Sequence, residues 1–335
     1  MSNSFSKILI IQTAFIGDVI LATSLIEKLS HYYPEAKIDF LLRKGNQILL
    51  KGNPKVGEVL VWNKADKLRE TIRIIRLLRK LNYDLLINAQ RYFTTGFVSF
   101  FSKAKYKIGF DSNPFFFDYD EKYPFKIARN VNEHEVDRLH QLISKITDAS
   151  PAMPKLYPGN EEEEKILHLI DKPFITIHPG SAWATKQLPV EKWIELVNAL
   201  NAELQVYLLG GPAEKNLCEK IKVAANKNAV HNKAGELNLL ESAALMKCAK
   251  VNYVNDSAPL HICSSMDAPC ISVFCSTIPE FGFAPLAKHS KVVQIKGDLY
   301  CRPCGTHGKL KCPEGHFKCG NSISIEDLNP AEFLQ

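Results

Sequence analysis

The stretch "KILIIQTAFIGDVILATSLIEKLSHYYPEAKIDFLL" (residues 7–42) decides the fold. It opens on an unbroken apolar run, the pattern of a strand covered on both faces. Val19, Ala22, Ile26, Leu29 and Tyr33 then recur at three- and four-residue steps until Pro34, which predicts a helix and its end. "KIDFLL" follows as a second buried strand. Strand, helix, strand is the unit from which parallel sheets are built. At the junction of the first strand and the helix stands a single acid, Asp18, directly after Gly17.

The same alternation runs on through "EVLVW", "DLLIN" and "YKIGF", and then through "FITIH", "QVYLLG", "KVNYVND" and "CISVFC". It stops after residue 148, crosses the proline- and acid-rich "PAMPKLYPGNEEEE" (151–164), and resumes at Pro173. Such a connection predicts two doubly wound, Rossmann-like α/β domains, near 1–155 and 165–325. Ligands are then expected at the carboxyl ends of the strands, in a cleft between the domains.

With 335 residues, 46% hydrophobic and 23% charged, the composition is that of a soluble globular chain. No apolar run reaches a membrane span. "MSNSFSKILIIQ" lacks the basic start and small-residue cleavage site of a signal peptide. The nine cysteines are odd in number; Cys218, Cys248, Cys263, Cys270 and Cys275 lie in apolar segments, as buried free thiols do. A cytoplasmic protein is expected. The formal charge of +6 suits an anionic ligand or a membrane surface without requiring nucleic acid.

Each strand-to-helix turn is a candidate site. The first has one glycine, not G-x-G-x-x-G, which removes the main support for a nicotinamide enzyme. Asp18 there reads either as a first-turn acid meeting the helix dipole or as a functional carboxylate. The second, "HPGSAWATKQLPVEKW" (178–193), gathers Gly180, Ser181, Thr185 and Lys186 at a helix entrance; hydroxyls, backbone N–H groups and a lysine are what a phosphate needs. "LLGGPAEK" brings Gly210 and Gly211, for close approach of a nucleotide or simply a tight turn. "VNDSAPLHICSSM" brings Asp256, Ser257 and Ala258 at a helix start with His261 one turn on; Ser257 also reads as an N-cap.

Taken in order, "GDVILATSLIEKL", "HPGSAWATKQLPVEKW", "LLGGPAEK" and "NDSAPLHICSSMDAPCISVFCSTIP" resemble glycosyltransferase family 9, the bacterial heptosyltransferases of the lipopolysaccharide core, over nearly the whole chain. The resemblance implies a GT-B fold with an acceptor-binding first domain and a donor-binding second one. It implies an inverting transfer of a heptose from an ADP-sugar donor to an inner-core sugar of a lipid A precursor, at the cytoplasmic face of the inner membrane. Asp18 becomes the catalytic base. Ser181, Thr185 and Lys186 hold the donor diphosphate, and Asp256, Ser257, Ala258 and His261 form a second donor motif, with Gly210 and Gly211 nearby. Ala258 stands where the family usually has glycine, and Cys275 where "F-G" is common, both narrowing the donor pocket. "HEVDR" (134–138) also looks like a family element, without an assigned role. Another nucleotide-sugar enzyme of the fold, a transferase or epimerase, is the alternative.

Inversion needs one base, because the acceptor hydroxyl attacks opposite the leaving group. A nucleoside diphosphate leaves unprotonated if fixed donors meet its charge, so no metal is required for the reaction. "DYDEK" (118–122) matches D-x-D by letters only and is expected at the surface. A helix N-terminus lowers an acid's pKa, so proton transfer to Asp18 must come late in the attack. Lys64 and Lys67, directly after a strand, are expected with Gly17 on the acceptor side. In "KADKLRETIRIIRLLRKL" (64–81), Arg69, Arg73, Arg76 and Lys80 share a helix face, either solvated or set against lipid phosphates. Cys301, Cys304, Cys312 and Cys319 in "CRPCGTHGKLKCPEGHFKC" (301–319) have the spacing of structural zinc ligands, the alternative being packed thiols and a surface turn.

Overall fold

In the computed structural model, which describes residues 4–127, 133–201, 203–226 and 229–334, the chain forms two compact units. One runs to Lys126 and takes in Glu133–Tyr157; the other begins at Pro158. The first unit contains β1 (Lys7–Ile11), α1 (Ile16–Tyr32), β2 (Lys37–Arg43), β3 (Val59–Trp62), α2 (Lys67–Leu81), β4 (Leu85–Asn88), α3 (Phe93–Phe101), β5 (Tyr106–Phe110), β6 (Glu121–Tyr123) and α4 (Glu135–Gln141). Its sheet has the order β3-β2-β1-β4-β5-β6, with every pairing parallel.

The second unit contains α5 (Asn160–Ile166), β7 (Phe174–His178), α6 (Val190–Ala199), β8 (Gln205–Leu208), α7 (Lys215–Ala224), β9 (Val230–Asn232), α8 (Leu239–Cys248), β10 (Asn252–Asn255), α9 (Ala258–Met266), β11 (Cys270–Phe274), β12 (Ser290–Gln294) and α10 (Lys318–Asn321). Its order, β12-β11-β10-β7-β8-β9, is that of the first sheet, again all parallel. Each unit is therefore a doubly wound α/β layer with a switch point beside its first strand.

The central strands are buried throughout, as their apolar runs require. Leu9, Ile11, Leu41, Trp62, Ile74, Leu78 and Leu86 share one cluster in the first unit. Ile175, Ile177, Trp193, Leu196, Val206, Tyr253 and Val273 share one in the second. At roughly 25 cal/mol per Å² of apolar surface these clusters dominate folding. The strands that sequence patterning overlooks are β6, β9 and β12, and all three lie at sheet edges. Short, polar, half-covered strands are how natural sheets blunt their edges, so they carry little apolar signal.

"DYDEK" lies at the surface as expected, with Asp120 and Lys122 exposed and only Tyr119 buried, but it is tied down rather than free. Asp118 pairs with Lys107 at 2.6 Å, Asp120 accepts the Lys107 N–H at 2.8 Å, and Glu121 opens β6. All nine cysteines are free thiols. Cys218, Cys263, Cys270 and Cys275 are buried as expected, but Cys248, the last residue of α8, is exposed.

Candidate functional site

In the first unit the turn after β1 is held by side chains from neighbouring carboxyl-end loops. Thr13 Oγ1 donates to Gln90 at 3.3 Å, the Asn46 amide donates to the Ala14 carbonyl at 3.1 Å, and Lys64 Nζ donates to the carbonyl and hydroxyl of Thr13 at 3.2 and 3.0 Å. Gly17 and Asp18 fall in the first turn of α1, where Asp18 Oδ2 accepts the Phe15 N–H at 3.2 Å. The carboxylate thus satisfies one orphan amide of the helix start, and it stays half-buried rather than sealed.

Cations surround this turn. The Arg43 guanidinium lies 5.0 Å from the Phe15 ring centroid, and Lys64 lies 5.4 Å from that of Trp62. Burial, then Arg43, lowers the Lys64 pKa. Arg91 stacks on Phe125 at 3.8 Å. Sequence reading found Lys64 but missed Arg43 and Arg91, whose only signal is their place at the end of β2 and shortly after β4. Lys67 is exposed at the first position of α2.

"HEVDR" proves to be the start of α4, which packs on α1. Arg138 is almost fully buried and pairs with Glu135 at 2.8 Å. Burial raises the Glu135 carboxyl to about 7, with the Asp18 charge pushing the same way and Arg138 and Arg91 opposing.

In the second unit, Lys186 and Asp256 come together at 2.7 Å, and the Asp256 carboxylate also accepts the Thr277 hydroxyl at 2.6 Å. Asn255 ties the end of β10 to the turn after β7. Its amide donates to the carbonyls of His178, Pro179 and Gly180 at 3.3, 2.9 and 3.4 Å, and its carbonyl accepts the Leu188 N–H at 3.0 Å. Ser181 is half-buried and accepts the Trp183 N–H at 3.4 Å. His178 is buried, its Nε2 has no hydrogen-bond partner among the described residues, and burial lowers its pKa to about 3.

Ser257 occupies the N-cap of α9, yet its side chain makes no cap hydrogen bond and turns to the Asn255 carbonyl at 3.4 Å. Pro259 has no N–H and the Leu260 N–H donates to the Ser257 carbonyl at 3.0 Å, so the Ala258 amide is what the uncapped start of α9 offers to an anion. His261 is buried one turn on, its ring 6.2 Å from Phe283.

Three expectations shift in detail. The glycines at 180, 210 and 211 make room for Glu214: a Cβ on Gly180 would come within 2.5 Å of Glu214 Cγ, one on Gly210 within 2.8 Å of its Cβ, and one on Gly211 within 3.1 Å of Oε2. Glu214 itself carried no sequence signal beyond following the glycines. Cys275 is buried in the apolar core with Cys319.

The four tail cysteines lie close enough to feel one another's charge. Among the described residues, however, no three His, Cys, Asp or Glu side chains converge as a metal-holding group. The Cys304 thiol turns to the Cys301 carbonyl at 3.4 Å, and the Cys319 side chain is buried in the core. The residues as placed do not fit the zinc site that their spacing suggests.

Residues 71–313 match the family model described as glycosyltransferase family 9 (heptosyltransferase). The chain is 25% identical to lipopolysaccharide heptosyltransferase 2 of Salmonella typhimurium, over 98% of this chain and 97% of that protein. It is 23% identical to lipooligosaccharide heptosyltransferase 2 of Haemophilus ducreyi, over 98% and 97%. Among solved structures, E. coli ADP-heptose LPS heptosyltransferase II superposes with a TM-score of 0.78 at 23% identity, covering 98% of this chain and 99% of that one.

Proposed function

Because the chain belongs to glycosyltransferase family 9, we propose that it transfers a heptose from ADP-heptose to a sugar of the lipopolysaccharide inner core, with inversion. The reading rests on Lys186, held at 2.7 Å by Asp256 near the start of α9, whose N-cap side chain makes no cap hydrogen bond. A fixed ammonium and a helix N-terminus are what a departing diphosphate needs.

The acceptor hydroxyl attacks the anomeric carbon of the heptose while Asp18 takes its proton. The bond from that carbon to the diphosphate oxygen breaks, and its electron pair leaves on ADP. Lys186 and the Ala258 amide at the start of α9 meet that charge. Arg43, Lys64 and Arg91 around the Asp18 turn suit an acceptor that carries anionic groups.

Calorimetry with ADP, UDP and GDP, followed by transfer assays of wild type and Asp18→Ala with ADP-heptose and a lipid A core acceptor, tests this. ADP is expected to bind best. Preference for UDP or GDP would move the chain to another nucleotide sugar, and normal transfer by Asp18→Ala would reduce Asp18 to a helix cap.

No helix of the described residues is long and apolar enough to cross a membrane. The acceptor's lipid gives a place to an exposed surface of the first unit. Phe93, Phe100, Phe116 and Phe117 are exposed aromatics of one ring cluster. Beside them runs basic α2, joined where Arg79 donates to the Phe101 carbonyl at 2.7 Å. Rings beside cations fit an anionic bilayer at the cytoplasmic face of the inner membrane. Co-sedimentation with phosphatidylglycerol vesicles, lost in Phe93→Ser/Phe117→Ser, checks it; equal pelleting of both proteins would refute it.

A further inference from the structure

The Cys/His segment, which the sequence leaves open between zinc ligands and packed thiols, folds onto the donor-side turn. The Thr185 N–H donates to the Lys309 carbonyl at 3.1 Å, and the Lys309 N–H donates to Thr185 Oγ1 at 2.8 Å. The Thr185 hydroxyl in turn donates to the Lys309 carbonyl at 3.1 Å and accepts from Ser276 Oγ at 2.9 Å. A hydroxyl has one hydrogen and two lone pairs, so every hydrogen-bonding position of this buried Thr185 is taken. Thr185 therefore does not donate to a phosphate in this arrangement; it fastens the turn.

Gly308 supplies the close approach. Its φ is +77°, and a Cβ there would come within 3.1 Å of Ser276 Oγ and Thr185 Oγ1 and within 3.2 Å of Lys186 Cγ. The segment is anchored on both sides of this contact. On one side Arg302 donates to the carbonyls of Cys275, Thr277 and Phe274 at 2.7, 2.6 and 3.3 Å and to Gln294 Oε1 at 2.7 Å, while the Cys304 N–H donates to the Ser276 carbonyl at 2.8 Å. On the other, Cys319 is buried in the apolar core.

We infer that Gly308 and Lys309 are positioning residues for donor binding: the 302–309 segment latches the Thr185–Lys186 turn so that the Lys186 ammonium is presented beside Asp256. The inference rests on Lys186 being the diphosphate ligand. The latch acts through backbone groups of Lys309 and through the absence of a side chain at Gly308, and it requires no metal.

The test is ADP calorimetry and donor kinetics on the full chain, for wild type, Gly308→Ala, Thr185→Val and the double variant. Each single variant is expected to raise the ADP Kd and the donor KM about tenfold, leaving the acceptor KM unchanged. The double variant is expected to lose little more than either single one, because both break the same contact.

Wild-type ADP affinity in folded Gly308→Ala, or a double loss equal to the product of the single losses, would overturn the latch while leaving the donor assignment intact. Absence of ADP binding in wild type would overturn both. Should Gly308→Ala fail to fold, Arg302→Gln loosens the same segment without touching residues 185–186; it is expected to raise the ADP Kd several-fold, and an unchanged Kd would overturn the latch.

Discussion

The two units share one strand order, yet their first strand-to-helix turns are built differently. In the first, the chain passes quickly from β1 into α1; Gln90, Asn46 and Lys64 brace the turn, and the Asp18 carboxylate sits half-buried in the helix's opening turn. In the second, a long loop separates β7 from α6, and its lysine and threonine are bound by Asp256, Ser276 and Lys309. As the proposed base, Asp18 must reach a substrate hydroxyl and change protonation, which its half-buried position permits. A group that stabilises a leaving diphosphate works best when it is already oriented, which is electrostatic preorganisation. One scaffold therefore carries a half-buried carboxylate in one braced turn and an ion-paired ammonium in the other.

Removing the accessible carboxylate should have the largest effect. Asp18→Asn is expected to lower kcat about 10²–10⁴-fold while the ADP Kd stays within about twofold, read by transfer assay and calorimetry. A parallel loss of ADP binding would break the division between the turns. Lys186→Ala comes next. It is expected to cost about 10²–10³ in kcat/KM for the donor and to weaken ADP binding, with Lys186→Arg in between; an unchanged ADP titration would show that the ion pair with Asp256 is structural.

The units also bury opposite titrating groups. Glu135 is raised from 4.5 to about 7, first by burial. Between those values the folded chain holds a proton that the unfolded chain has released, so stability falls as pH rises across the window. His178 is lowered from 6.5 to about 3 by burial. There the unfolded chain holds the extra proton, so the contribution is complete above pH 6.5 and is lost as pH falls toward 3. Each group changes stability by at most about 1.4 kcal/mol per pH unit. Urea midpoints of Glu135→Gln and His178→Phe between pH 4.5 and 7 should differ from wild type in opposite slopes. Parallel slopes would refute one assignment.

The smallest effect is expected at Lys64, whose ammonium reaches back to Thr13. Lys64→Ala should raise the acceptor KM a few-fold, about 1 kcal/mol or less for a partly solvated charge, and leave the donor KM alone.

Much of this was legible in the chain. The helix after β1 ends where Pro34 requires, and Asp18, Lys186 and Asp256 lie in the segments that follow β1, β7 and β10, where the strand–helix alternation puts them. What escaped has a common cause. The edge strands β6, β9 and β12 are short and polar, so burial leaves no periodicity in them. Arg43 closes β2, Glu214 ends the short 3-10 turn before α7, and Arg91 follows β4, places where no repeating pattern marks a single side chain. Asn255 has no local signal that sets it apart from other polar residues before a helix, although its amide fastens the turn after β7.

Sequence alone determined the alternating parallel layers and the turns at which chemistry gathers, because hydrophobic period and turn residues are local properties of neighbouring positions. Only the tertiary structure decided that Lys186 is held by Asp256, that glycines 180, 210 and 211 yield space to Glu214, and that Lys309 occupies the hydroxyl of Thr185. That last pair is separated by 124 positions. Contacts of such range are set by how sheets and loops pack in three dimensions, and no local pattern encodes them.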